Sequence, residues 1–191
     1  MVEKVKDIRY NCVMNNQAFI DGQNLTYNTQ NSEQPWKVDL IRFRVYLKER
    51  YGVQKAYYFM GYYLDGLYDL YSLIQEAGFI IVFRKYDELM ASVKKGNVDT
   101  DIVFTIMRKL VDREDFEKVI LVSGDGDYYR MVDYLVGKNK FGKLLAPNQK
   151  CMSSLYKNLD RSLYTDLSAR DVKKKIEFKK GRKASKKRDT A

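Results

Sequence analysis

Short apolar runs of strand length alternate along this chain with longer segments whose apolar residues fall at helical spacing, which restricts it to few architectures. Ala18–Phe19–Ile20 ends a first strand, and the turn-like Asp21–Gly22–Gln23–Asn24 follows, then a polar, loop-like stretch to Pro35. Asp39 is placed to cap a helix that carries Leu40, Phe43 and Leu47 and ends at Gly52. Lys55–Met60 is β-prone, while Leu67, Leu70, Tyr71 and Ile74 have helical spacing closed by Gly78. Phe79–Phe83 is a continuous apolar run, as expected of a strand buried on both faces. After a loop from Tyr86 to Val98, a helix starts near Asp99 or Thr100, with Ile102, Ile106 and Leu110 on one face. Val119–Val122 reads as a buried strand, Met131 and Leu135 mark a helix stopped by Gly137, Lys143–Ala146 a fifth strand, and Ser153–Leu159 a short helix. This order predicts an α/β, Rossmann-like three-layer fold with a mostly parallel central sheet of about five strands flanked by helices.

Charge divides the chain unevenly. Lys173–Ala191 holds ten Lys/Arg against Glu177 and Asp189, which accounts for eight of the ten net positive charges on 191 residues. A folded domain over 1–170 and a basic, flexible tail over 171–191 are therefore expected, the tail acting as a solubilising arm or as a contact for polyanions. Cys12 and Cys151 sit in no paired motif and read as reduced thiols, and neither a signal segment nor a membrane span is evident, so a cytoplasmic protein is expected. The sequence has no histidine. Histidine-based triads and imidazole zinc sites are thereby excluded, leaving carboxylates, lysines, tyrosines, hydroxyls or a hard metal ion.

The aspartates have the most informative positions. In open parallel sheets, ligands bind beyond the carboxyl ends of the strands. Asp21 follows the first strand, Asp125 and Asp127 follow Val119–Val122, and Asp99 and Asp101 open the helix that leads into that strand. All five project to one edge, and they converge if the first and fourth strands are neighbours. Crowded carboxylates need compensating protons or cations, and oxygen ligands suit Mg²⁺ or Mn²⁺. Each residue also has an ordinary explanation: helix caps for Asp99 and Asp101, a common turn for Asp21, and an isolated turn for SGDGD, which lacks EF-hand spacing.

Three segments, FIDGQNL (19–25), KGNVDTDI (95–102) and VSGDGDY (122–128), together resemble the NYN domain family of PIN-like nucleases, over a stretch from Ala18 to the 160s. The resemblance implies a PIN-like fold, metal-binding acids and phosphodiester cleavage in RNA. By position, Asp21 resembles the first metal-binding acid with Asn24 supporting its loop, Asp99 the central acid with Asp101 as companion, Asp125 the main acid of the fourth-strand loop, and Asp127 the outer one. Ser123 is placed to hydrogen-bond a carboxylate or a bound water. Where many relatives have a further acid one turn into the central helix, this chain has Thr105, with Asp101 a candidate replacement. Tyr62, Tyr63, Tyr128 and Tyr129 are candidates for stacking on unpaired bases. Lys94, Lys95, Arg130 and the tail cations Lys173, Lys174, Lys175, Lys179, Lys180, Arg182 and Lys183 are candidates for phosphate contacts.

The expected function is a metal-dependent endoribonuclease acting on single-stranded RNA. The alternative is a catalytically weak or inactive RNA-binding or scaffold protein on the same fold. A phosphatase using Asp21 as nucleophile is disfavoured, because DGQN lacks the DxD spacing. Membrane attachment is not expected; a homodimer is compatible with the sequence.

Overall fold

A computed structural model describes residues 14–84 and 98–179. Six strands, β1 (Asn16–Asp21), β2 (Val53–Met60), β3 (Ile80–Phe83), β4 (Val119–Val122), β5 (Phe141–Ala146) and β6 (Tyr164–Asp166), form one all-parallel sheet in the order β3-β2-β1-β4-β5-β6. Six helices, α1 (Gly22–Gln30), α2 (Leu40–Tyr51), α3 (Tyr68–Glu76), α4 (Val98–Val111), α5 (Tyr129–Gly137) and α6 (Arg170–Ile176), complete the fold. The sheet has one strand more than expected, because Tyr164–Asp166 is three residues long and carries no apolar run to announce it.

Period-two alternation divides each central strand between two cores. Ala18, Ile20, Ile120 and Val122 face a layer built from Leu25 of α1, Phe43 and Leu47 of α2, Ile74 of α3 and Ile176 of α6. Phe19, Val119 and Leu121 face Ile102 and Ile106 of α4 and Met131, Val132 and Leu135 of α5. The three-layer expectation is thus met, with the break in strand order falling between β1 and β4.

Two local expectations need correction. DGQN is no turn: Asp21 caps α1, and Leu25 and Thr29, four apart, bury one face of a helix in the stretch read as loop. The composition there is polar because only a narrow stripe touches the sheet. Phe79–Phe83 yields an edge strand rather than one covered on both faces among the described residues, and Ile80 is exposed. The loop read over Tyr86–Val98 lies outside the described residues except for Val98.

Regular structure continues past residue 170. Residues 170–176 form α6, packed on α2 with Ile176 fully buried. Arg42 donates to the carbonyls of Lys174 and Glu177 (both 2.8 Å), satisfying orphan acceptors at the end of α6. An antiparallel bridge joins Val38 to Glu177, and the Phe178 amide donates to the Lys37 carbonyl at 2.8 Å. The positive run thus begins on a docked helix whose one buried apolar residue was masked by the surrounding lysines. Ile176→Ala is expected to lower unfolding free energy by about 2–4 kcal/mol in urea titrations; an unchanged midpoint would mean that α6 contributes no core.

Candidate metal centre

Ile20 pairs with Val122 in the β1/β4 register, so the residues that leave these strands, Asp21 and Ser123, emerge side by side. Asp21 is only 5% exposed, and its Oδ1 accepts the Asn24 amide at 2.9 Å as the cap of α1. Gly22 permits this tight start, since a Cβ there would lie 2.3 Å from a Tyr58 ring carbon and 2.8 Å from the Phe59 carbonyl oxygen. Asn24 then ties the two loops together: its Oδ1 accepts the Gly124 amide at 3.0 Å and Asn28 Nδ2 at 3.1 Å. The Oγ of Ser123 is buried and accepts the Asp125 amide at 3.1 Å. Asp125 Oδ1 in turn accepts the Asp127 amide at 3.0 Å, capping the short turn Gly126–Tyr128, while Tyr156 donates to the Asp125 carbonyl at 2.5 Å.

The result is a group of acids drawn from three parts of the chain. Carboxylate oxygens of Asp99, Asp125 and Asp127 all lie within 4.8 Å of one another. Asp21 lies behind them, electrostatically coupled to Asp99 and Asp125. Between Asp21 and Asp99 stands the phenol of Tyr128, fully buried, which donates to Asp99 Oδ1 and lies 3.1 Å from Asp21 Oδ2. A phenol has one proton to give. Burial and the two neighbouring aspartates push the Tyr128 pKa upward, so the phenol stays neutral and remains a donor. For Asp21, burial outweighs the Asn24 and Tyr128 hydrogen bonds, and with the charges of Asp99 and Asp125 raises its pKa to about 6.

Other candidates fall elsewhere. Asp101 does not join the cluster: it is two residues from Asp99 on α4, a spacing that turns the side chains apart. Its Oδ2 is buried without a hydrogen bond among the described residues. Thr105 is four residues beyond Asp101, and its hydroxyl donates to the Asp101 carbonyl at 2.7 Å, within its own helix. Tyr128, expected as a stacking surface, is instead a core residue that orients two acids; its burial leaves no face for a base. Tyr129 packs edge-on against Tyr156, Arg84 lies over the Tyr62 ring, and Tyr63 packs against Tyr71 and Phe83. Arg130 is exposed on the first turn of α5. Lys173 lies over the Trp36 ring at 5.5 Å, while Lys174, Lys175 and Lys179 are exposed. Lys94, Lys95, Lys180, Arg182 and Lys183 lie outside the described residues. No motif marks the roles of Tyr128 and Tyr156; the position of Tyr128 beside the acidic loop is the one local signal.

The donor chemistry fits a hard divalent cation. Every contributing group is a carboxylate oxygen, and among the described residues Asp125 and Asp127 form no ion pair. Asp99, Asp125 and Asp127 would hold the ion, with Asp21 adjacent.

The pattern of the NYN domain, a PIN-like nuclease family, matches residues 17–167. The chain belongs to the NYN domain family. The matched residues take in the six strands, apart from Asn16 at the start of β1, and the whole acidic group. A crystal structure of a Vibrio parahaemolyticus protein of unknown function is similar to it, with a TM-score of 0.72 and 16% identity over 90% of this chain and 100% of that one. That likeness shows the fold. No curated protein matches the sequence.

Two outcomes follow from this geometry. Because its folded pKa is raised, Asp21 keeps a proton between pH 4 and 6 that the unfolded chain has released, so its contribution to stability falls as pH rises through that window. The loss is complete above about pH 7 and amounts to roughly 3 kcal/mol. Asp21→Asn, which keeps the capping acceptor, is therefore expected to stabilise the chain at pH 7.5 in EDTA but not near pH 4, as read by urea unfolding. Equal effects at both pH values would contradict this account. Separately, Tyr128→Phe preserves the packed ring but releases both carboxylates, and Mn²⁺ affinity measured by calorimetry should fall about 10-fold with little change in melting temperature; unaltered affinity would remove Tyr128 from the site.

Proposed function

We propose that this NYN domain is a metal-dependent ribonuclease that hydrolyses phosphodiester bonds within single-stranded RNA, using Mg²⁺ or Mn²⁺, in a cytoplasmic setting. The observation that carries the reading is the convergence of Asp99, Asp125 and Asp127 within 4.8 Å, beside Asp21, at the β1/β4 break of a nuclease-family fold. When bound, a divalent ion would supply charge neutralisation at the scissile phosphate and a more acidic water. The chain's own residues do the rest. Asp99, Asp125 and Asp127 bind; Asp21 closes the back of the site; Tyr128 fixes two of the acids; Asn24 and Ser123 hold the two loops in register. None of this requires the histidine that the chain lacks.

Cation placement supports a polyanionic substrate. The start of α2 lies at the carboxyl edge of the sheet, because α2 leads back into β2. The Val38–Glu177 bridge therefore brings Lys179 toward the carboxyl edge of the sheet. Lys94, Lys95, Arg130, Lys173, Lys174 and Lys175 complete the proposed phosphate contacts, which should weaken steeply with salt as counterions cease to be released.

One observation favours a second reading, an RNA-binding protein that does not cut. The Thr105 hydroxyl is engaged with the backbone of α4, so this helix gives the cluster Asp99 alone. Labelled single-stranded RNA incubated with Mn²⁺, Mg²⁺ or EDTA separates the two. Cleavage should require metal and fall roughly 100-fold or more in folded Asp125→Asn. If both proteins bind RNA and neither cuts it, the binding reading replaces the nuclease.

A further inference from the structure

An open groove of about 610 Å³ runs from Asp125 and Asp127 along α1 to the segment 151–155. Its volume is within the range of small-ligand sites. One wall carries Tyr27, 64% exposed, whose ring makes no aromatic or cation contact among the described residues. Leu155, 45% exposed, belongs to the opposite wall. Two glycines let that wall come close: a Cβ on Gly126 would lie 2.5 Å from Ser153 Oγ, and one on Gly124 3.1 Å from the Cys151 carbonyl oxygen. The Ser153 amide accordingly reaches the Gly124 carbonyl at 2.9 Å.

The lining chemistry selects the occupant. Among the described residues no Lys or Arg lines the groove, and the charged members are Asp125 and Asp127. Lys150, next to the groove, points to Glu33 at 2.6 Å. Away from Asp125 and Asp127, which would hold the ion, the described lining offers a phosphate no cation, whereas a neutral planar group would meet an exposed ring and oriented amides. Asn28 is oriented because its Nδ2 donates to Asn24 Oδ1, which leaves the second N–H and the amide oxygen for in-plane contacts.

We propose that this groove is a nucleobase subsite, in which an unpaired base of the RNA strand stacks on Tyr27 and meets the amide of Asn28, beside the carboxylates that receive the backbone. The proposal rests on the RNA reading above but not on cleavage. It also moves the stacking role from the tyrosines expected from sequence to one on α1, six residues after the first acid.

The test uses the full chain and a short single-stranded RNA containing 2-aminopurine, with calcium replacing Mg²⁺ or Mn²⁺. Wild type and Tyr27→Phe should quench the fluorophore on binding, because stacking needs only the ring. Tyr27→Ala should bind about tenfold more weakly and lose the quenching. An RNA abasic at the sensitive position should bind wild type and Tyr27→Ala alike. If wild type binds and cuts RNA while Tyr27→Ala matches it in affinity and quenching, the subsite is overturned and the nuclease stands. If quenching depends on Tyr27 but no RNA is cut in Mn²⁺, the subsite stands and the nuclease reading fails. Absence of RNA binding by wild type overturns both.

Discussion

The parallel pairing of β1 with β4 is the contact on which the site depends. These are the two central strands, buried on both faces, and the chain turns away from their shared boundary in opposite directions. At such a break the loops that leave the two strands part, opening a crevice at the carboxyl edge. Asp21 stands on one side and Asp125 and Asp127 on the other. Asp99 arrives because the helix that returns the chain to the start of β4 must begin at that same edge. Packing of Phe19, Val119 and Leu121 on α4 and α5 thus sets which oxygens meet, although these apolar residues belong to the core and not to the acidic group.

That assembly works against the stability of the fold. Several carboxylates are gathered where water is partly excluded, and Asp21 reaches neutrality only near pH 6 and below. Tyr128 eases the conflict at one point, setting one neutral phenol proton between two acids from positions 78 residues apart in the chain (21 and 99). A bound cation would remove the rest, so that ion binding and the folded state would favour each other by mass action.

Much of this was legible beforehand, for identifiable reasons. Buried strands such as Val119–Val122 declare themselves because both faces are apolar, and Asp-containing loops follow them at the edge where parallel sheets bind ligands. Helix α1 was hidden because its buried stripe is only Gly22, Leu25 and Thr29 among polar neighbours. The docking of α6 was hidden by charge, since Ile176 is flanked by lysines that stay in water. The divergence of Asp99 from Asp101 was readable from helical geometry alone. Tyr128 was not, because a tyrosine's partner depends on which strands are neighbours, and only the sheet order supplies that. The same ignorance of neighbours hid Tyr27, which gains meaning only from the wall across from it.

Asn24 makes the two acidic motifs inseparable. One amide oxygen takes a backbone proton from the SGDGD loop and a side-chain proton from α1, while its own backbone amide caps on Asp21. DGQN and SGDGD are therefore not interchangeable cassettes. A loop transplanted from a relative with a different bond at this position would lose its anchor even if every acid were retained. Drift in either motif can survive only where the other accommodates it, so the two segments, about a hundred residues apart, are bound to change together.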